Sequence, residues 1–336
     1  MGVDLCSYRQ SIGLWAAVVA TTRFLRSRSM SFQRSRPCLV VFFYLFVLLQ
    51  AAVLPAAGDV QRNPGPSINP NSKSNSTAVS GSNRHSRLVV LQYNARSLLP
   101  KKSELALSLS ALQPHLVAIS ETWLDNSVSD GAFLPAGYYV AVRVDRAAGT
   151  DDRGHGGGVI ILCRTDVLCT PRTDLCFWRE SAWIEVSLPS SCRRKLLFGC
   201  FYRPPKNSTS AIEEFITSLK SSFSSLCLAT SDVVLVGDFN ATNSDWCPDD
   251  CTNLPGRLLE PALLSLGLQQ RVTRRTHLTP EGSPCSLLDL VLTSNDQLVL
   301  TTDVVPPLSS SDHLGVLCRL DLHPRPPNRS RLRKVW

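Results

Sequence analysis

The sequence predicts an α/β fold in which two mixed β-sheets pack face to face with helices on the outside, and three observations carry that expectation. Between Leu88 and about Leu322, nine short runs rich in Val, Leu and Ile are bounded by turn residues, as strands are. Only three stretches space their apolar residues three and four apart, as helices do. Several of the nine runs are joined by loops too short for a crossover helix, so a single doubly wound sheet fits less well than two packed ones.

The elements follow in order along the 336 residues. Residues 1–57 form a basic and apolar leader in which "RFLRSRSMSFQRSRP" precedes "CLVVFFYLFVLLQAAVLPAAG". Basic, then apolar, then small residues is the order of a signal peptide. The apolar run also nears the length of a membrane span, although Gln50 and Pro55 weaken its far end and its start lies late for a cleaved signal. Residues 58–66, "GDVQRNPGP", combine two φ-locked prolines with a permissive glycine, a stiff turn with nothing around it to pack. Residues 67–87 are almost devoid of large apolar side chains and read as a flexible linker.

The body spans 88–322. Its strand runs are "RLVVLQYN", "LVAISET", "YYVAVRV", "GGVIILCR", "AWIEVSL", "KLLFGCFYR", "VVLVGDFN", "LLDLVLTS" and "LGVLCRL". "KKSELALSLSALQ" predicts a helix after the first run. "STSAIEEFITSLKSSFSSL" predicts one after the sixth, opened by Ser or Thr with Glu following, as in a capping box. "GRLLEPALLSLGL" predicts a shorter helix with Pro261 near its start. A basic tail, 323–336, follows, and no internal repeat is visible.

The net charge of +8 invites a nucleic-acid reading, but it lies in the leader and linker. Residues 1–87 carry ten Lys or Arg against two acids, and the remainder carries 25 of each. Setting aside the five basic residues from Arg325 onward leaves the body at 20 basic against 25 acidic residues. A net of −5 argues against a broad phosphate-binding face and suits a site that concentrates carboxylates on a metal ion. The twelve cysteines are scattered; "CPDDC" (Cys247, Cys251) has no His or second pair at zinc-ligand spacing. Free thiols in a reducing compartment and a secreted disulfide protein are the two readings that this usage allows.

The strands are informative in how they end. Asn94 follows "LVVLQY", Glu121 follows "LVAIS", Asp238 and Asn240 follow "VVLVG", and Asp312-His313 precedes "LGVLCRL". One carboxylate after a strand is an ordinary turn residue. Four strand termini bearing groups suited to hard metals or phosphate are a constellation. "QYNARSL", "SETWL", "GGGVIIL", "FYRPP", "VGDFNA", "LLDLVLTS" and "SSDHLGV" together resemble the endonuclease/exonuclease/phosphatase superfamily, whose order they keep. Within it they are most similar to the endonuclease domain of non-LTR retrotransposons, which "FYRPP" and "LLDLVLTS" favour.

The resemblance implies a DNase-like four-layer sandwich and hydrolysis of a DNA phosphodiester with Mg²⁺ or Mn²⁺. It implies Glu121 as principal metal ligand, with Asn94 beside it and Asp312 close by. It implies that Asp238 orients and deprotonates the attacking water, that Asn240 holds that water or the phosphate, and that His313, oriented by Asp289, donates to the phosphate oxygens. Tyr202 and Thr276 would contact phosphate or sugar. The expected product is a single-strand nick with a 3′ hydroxyl for reverse transcription. The reverse transcriptase module of such an element is not in this chain, so a truncated copy or fragment of a longer polyprotein is expected. A secreted DNase or abasic-site nuclease of the same fold, and a catalytically decayed product that only binds DNA, are the alternatives.

"GDVQRNPGP" resembles a 2A-like ribosome-skipping peptide. Asp59, Val60, Asn63, Pro64, Gly65 and Pro66 match the family motif, while Gln61 stands where the family has Glu. The resemblance implies that the chain breaks between Gly65 and Pro66 during synthesis, with a linker turn as the plain alternative. A skipped product would stay in the cytosol with access to the nucleus, and an unskipped one, keeping its leader, could enter the secretory route or a membrane. "GHGGGV" lacks the ending of a phosphate loop and reads as a glycine lead-in to a strand. His115 and His277 are expected in loops. "RVTRRTH" (271–277) is either a DNA-backbone contact or a solvated loop.

Overall fold

The computed structural model describes residues 87–146, 156–188, 194–206, 208–226, 228 and 230–322, all within the unit Val79–Trp336. The leader, the 2A-like string, nearly all of the linker, His155 and the tail from residue 323 lie outside the described residues.

Two six-stranded mixed sheets form the body. The first has the order β13-β14-β1-β2-β4-β3, from Val299–Val305, Gly315–Asp321, Arg87–Asn94, Leu116–Ser120, Val159–Arg164 and Tyr138–Val144. The second has the order β5-β6-β7-β8-β12-β9, from Cys169–Pro171, Ser181–Val186, Lys195–Tyr202, Ser231–Asp238, Asp289–Thr293 and Gln269–Gln270. β10 (His277–Leu278) and β11 (Pro284–Ser286) make a separate ribbon. Each sheet contains one parallel pair, β1 with β2 and β7 with β8, and each pair is joined through a helix because parallel neighbours need a crossover. These helices are α1 (Lys102–Leu112) and α2 (Thr209–Ser224); α3 (Leu254–Ser265) follows β8.

Period-two alternation divides the strands between two cores. Leu88 and Val90 of β1, with Leu116 and Ala118 of β2, point into the core shared with the second sheet, α2 and α3. Leu91, Tyr93, Val117 and Ile119 point the other way, onto Leu105 and Leu109 of α1. Helix, sheet, sheet and helices therefore stack as the four layers expected. Trp183, Phe198, Phe201, Phe215 and Phe239 are fully buried in the inter-sheet core and around α2, where Phe201 stacks on Phe239 at 6.2 Å.

All nine expected strands form, and the helices need two corrections. α2 is capped by Ser208, whose side chain accepts from Ala211 N, so the third helical position is Ala211 and no Glu closes a capping box. α3 begins at Leu254, earlier than expected, because the Asn253 side chain accepts from both Gly256 N and Thr242 N. Pro255 takes the first turn and Pro261 falls inside the helix, on its exposed face, where the carbonyl it leaves unpaired can meet water. Among the described residues no helix is long and apolar enough to cross a membrane, and the eight described cysteines are free thiols.

Candidate active site

The strand termini converge at one end of both sheets. Asn94 ends β1 in register with Ser120, the last residue of β2, so Glu121 follows alongside. In the second sheet Asp238 ends β8 in register with Tyr202 of parallel β7 and with Asp289, the first residue of antiparallel β12. Hydrogen bonds then tie the sheets together at this end. Asn94 Nδ2 donates to Asp238 Oδ2 (3.0 Å) and Glu121 Oε1 (3.2 Å), and Gln92 Nε2 donates to Asp289 Oδ1 (2.8 Å).

His313 Nδ1 lies 2.7 Å from Asp289 Oδ2, which also accepts from Thr276 Oγ1 at 2.6 Å. Thr276, expected at the substrate, is instead fully buried. Its hydroxyl also accepts from the backbone N–H groups of Leu288 and Asp289, so it holds Asp289 in place. Ser311, which sequence reasoning passed over, fixes the histidine loop by donating to Asn94 O (2.7 Å) and accepting from His313 N (3.2 Å). His313 is 6% exposed, and burial opposes the charge of its ring. The ion pair and hydrogen bond with Asp289, reinforced by Asp238 and Asp312, outweigh burial and push its pKa up to about 10.

Asp238 is buried, and desolvation drives its pKa up. Asp289 and Glu121 add to the rise and His313 opposes it, leaving the carboxyl at about 7. Its oxygens are oriented by Asn240, whose N donates to Oδ1 (2.9 Å) and whose Nδ2 donates to Oδ2 (3.0 Å). Asn240 achieves this with a φ of 48°, a conformation asparagine tolerates better than most residues. Behind this loop stands Arg203 of "FYRPP", a residue whose role the sequence did not disclose. Buried, it donates to the carbonyls of Phe239 (2.6 Å), Asn240 (2.6 Å), Pro204 (3.0 Å) and Lys206 (2.8 Å).

Glu121 and Trp123 have φ of 51° and 53°, strained values for non-glycine residues, and the glycine run explains how they are held. Trp123 N donates to Gly157 O (3.0 Å) and Thr122 N to Gly158 O (3.3 Å). Gly158 N in turn donates to Glu180 Oε1 (2.8 Å), and Glu180 is paired with Arg146, whose guanidinium lies over the Tyr202 ring at 5.7 Å. A side chain at Gly157 would collide with the Glu180–Arg146 pair. The strand lead-in thus also shapes the Glu121 loop. Tyr202 itself is 5% exposed. Burial first, then the charges of Glu121 and Asp238, keep its hydroxyl protonated.

Asp312 is placed differently from a free metal ligand, since Arg96 pairs with it at 2.5 Å. His277, expected in a loop, begins β10. Its ring lies 5.0 Å from that of His313, and its Nε2 is 4.0 Å from Asp312 Oδ2. In the basic stretch 271–277, Arg275 is taken up by Asp250 (2.7 Å). Among the described residues no three His, Cys, Asp or Glu side chains are grouped closely enough to hold a metal ion by themselves. Glu121 and the side-chain Oδ1 of Asn94, which accepts from Arg96 N at 3.1 Å, are hard oxygen donors few in number. Such a set fits Mg²⁺ or Mn²⁺, which typically keep several waters, rather than a softer metal.

Residues 196–317 match the family model described as "Endonuclease-reverse transcriptase". No curated protein matches the chain. Among solved structures, the endonuclease domain of TRAS1, a telomere-specific non-LTR retrotransposon, is similar with a TM-score of 0.54 at 19% identity, covering 70% of this chain and 99% of that one. The AP endonuclease LMAP from Leishmania major is similar at 0.56 and 15%, covering 71% and 88%, and the APE2 catalytic domain of Xenopus laevis at 0.54 and 15%, covering 70% and 92%. The two packed mixed sheets with outer helices are therefore the endonuclease/exonuclease/phosphatase fold, and residues 196–317 are similar in sequence to the endonuclease–reverse transcriptase family.

Proposed function

We propose that the chain is a Mg²⁺- or Mn²⁺-dependent DNA endonuclease of a non-LTR retrotransposon, which nicks one strand of a duplex and leaves a 3′ hydroxyl for a reverse transcriptase to extend. The observation that supports this most is the inter-sheet network of Asn94, Asp238, Asp289 and His313, because it couples a proton acceptor to a buried charged donor at one end of both sheets. When bound by Glu121 and Asn94, a divalent ion supplies charge neutralisation at the scissile phosphate and the leaving oxygen. Asp238, with a pKa near the working pH, takes the proton of the attacking water as the water oxygen bonds to phosphorus and the phosphorus–O3′ bond breaks, and O3′ takes up a proton from solvent to become the 3′ hydroxyl. Asn240 holds that water or the phosphate. His313 has Nδ1 committed to Asp289 and offers Nε2–H to a phosphate oxygen as charge builds there, and the Tyr202 hydroxyl donates beside it.

The test is nicking of supercoiled plasmid by the full chain. Open circles should form with Mg²⁺ and not with EDTA, and Glu121→Ala, Asp238→Ala or His313→Ala should each slow the reaction by orders of magnitude. Equal nicking by all four proteins refutes the assignment. Phosphate release from inositol phosphates at rates comparable to DNA cleavage would move the reading to the phosphatase branch.

Residues 58–66 are proposed to act earlier, as a ribosome-skipping peptide. Translation in vitro should yield a leader ending at Gly65 and a body beginning at Pro66, and Pro66→Ala should restore one product. Gln61 keeps hydrogen-bonding capacity but removes a carboxylate, so a mixture is expected, with the skipped body in cytosol or nucleus and the unskipped chain directed to the secretory route. One full-length band from both templates leaves the string a linker turn.

A further inference from the structure

We infer that Arg96 is a DNA-phosphate contact, held ready at the mouth of the site by Asp312 and passed to a backbone phosphate when the duplex binds. The inference rests on the nuclease reading above and adds a residue which that reading does not use.

The backbone beneath Arg96 is over-determined. Arg96 and Ser97 are consecutive non-glycine residues with φ of 41° and 78°, a costly arrangement that persists only where the surroundings enforce it. Here the Asn94 side chain accepts from Arg96 N (3.1 Å), Ser97 N donates to Glu121 O (3.0 Å) and Leu98 N to Thr122 O (2.9 Å). Lys101, only 5% exposed, spends its ammonium on the carbonyls of Ala95 (2.5 Å) and Arg96 (2.6 Å). Burying a lysine to hold two loop carbonyls is a large expenditure on the position of one short segment.

The side chain carried by that segment is held quite differently. The Arg96 side chain is 53% exposed and its carboxylate partner 33%, and an ion pair at such exposure is weak and readily exchanged. A rigid backbone presenting a guanidinium on an exchangeable tether suits a group that must meet a ligand. The guanidinium fork matches phosphate oxygens in geometry, and Asp312 directly precedes His313, the proposed phosphate donor. In a body of net negative charge, a cation at this point also offsets repulsion of the DNA locally. Exchange of partners releases the Asp312 carboxylate beside His313 at the moment the substrate arrives.

The test is equilibrium binding of a fluorescein-labelled 20-base-pair duplex by the full chain in EDTA, over a series of KCl concentrations, so that no cleavage enters. Each phosphate contact adds about 0.9 to the slope of log affinity against log salt. Arg96→Ala should lower the wild-type slope by about 0.9, Arg96→Lys should retain it, and Asp312→Asn should tighten binding by releasing the guanidinium. Arg164→Ala, which removes an arginine paired with Asp166 at the opposite end of β4, should leave the slope unchanged. Binding by Arg96→Ala with the wild-type slope overturns the inference and leaves the nuclease reading standing, as does an equal loss in Arg164→Ala. Absence of duplex binding by the wild type overturns both.

Discussion

Replacing Asp289 by Asn should remove the charge that keeps His313 protonated while leaving the fold almost untouched. Asp289 is fully buried and accepts three side-chain hydrogen bonds, from Gln92, Thr276 and His313. In the variant, the amide oxygen can keep Thr276 and His313 while its NH₂ turns toward Gln92. Gln92 Oε1 is a buried acceptor with no partner, and a flip of that amide lets it accept from the new donor. What is lost is electrostatic. Displacement of the His313 pKa from 6.5 to about 10 corresponds to at most on the order of 5 kcal/mol of preference for the charged ring, and Asp289 is the largest favourable contributor to it. Because the folded value is raised, this stabilisation is fully present below pH 6.5 and disappears as pH rises through about 10. The stability gap between wild type and variant, from urea unfolding, should therefore be widest near pH 6 and close in alkali. Imidazole NMR should show the His313 pKa falling well below 10, and nicking at pH 7.5 should slow about 10²- to 10³-fold, as for loss of one preorganised donor. A His313 pKa still near 10 in Asp289→Asn refutes the reasoning.

Two further substitutions test the scaffold of the site. Arg203→Met keeps the bulk but strands the carbonyls of Phe239, Asn240 and Lys206, Pro204 O keeping Lys206 N, and should cost about 3–5 kcal/mol in urea unfolding with a matching loss of nicking; a change below about 1 kcal/mol contradicts that role. Gly237→Ala sets a methyl against the Phe201 carbonyl of the neighbouring strand at a φ of +141°, and should cost at least about 3 kcal/mol, seen as a lowered Tm. A wild-type Tm would contradict the close strand approach.

The nine runs of Val, Leu and Ile were legible because hydrophobicity along a chain reports burial directly, and all nine are strands. The other five strands were not. β13, "VLTTDVV", is an edge strand with an exposed polar middle, and β5, β9, β10 and β11 span two or three residues each, below the length at which a period can be counted. The start of α3 was hidden because the cap that sets it, Asn253, draws on Thr242, eleven residues away.

At the site, Asn94, Glu121, Asp238, Asn240 and His313 could be read from polar residues at the ends of apolar strands, because sheet pairing carries neighbouring strand ends to the same edge. The seven ordered motifs then suggested their chemistry. Which partner each side chain would take could not be read. Gln92 and Asp289 are 197 residues apart, Arg96 and Asp312 are 216 apart, and Arg203 meets the Asp238–Asn240 loop from the adjacent strand. The sequence by itself determined which residues are apolar, which end strands, and hence the layers. Only the tertiary structure decided that Thr276 serves Asp289, that Asp312 faces Arg96, and that Gly157 and Gly158 shape the loop of Glu121. Such assignments depend on distances of 2.5 to 3.3 Å set across two sheets, which the local forces along one strand do not specify.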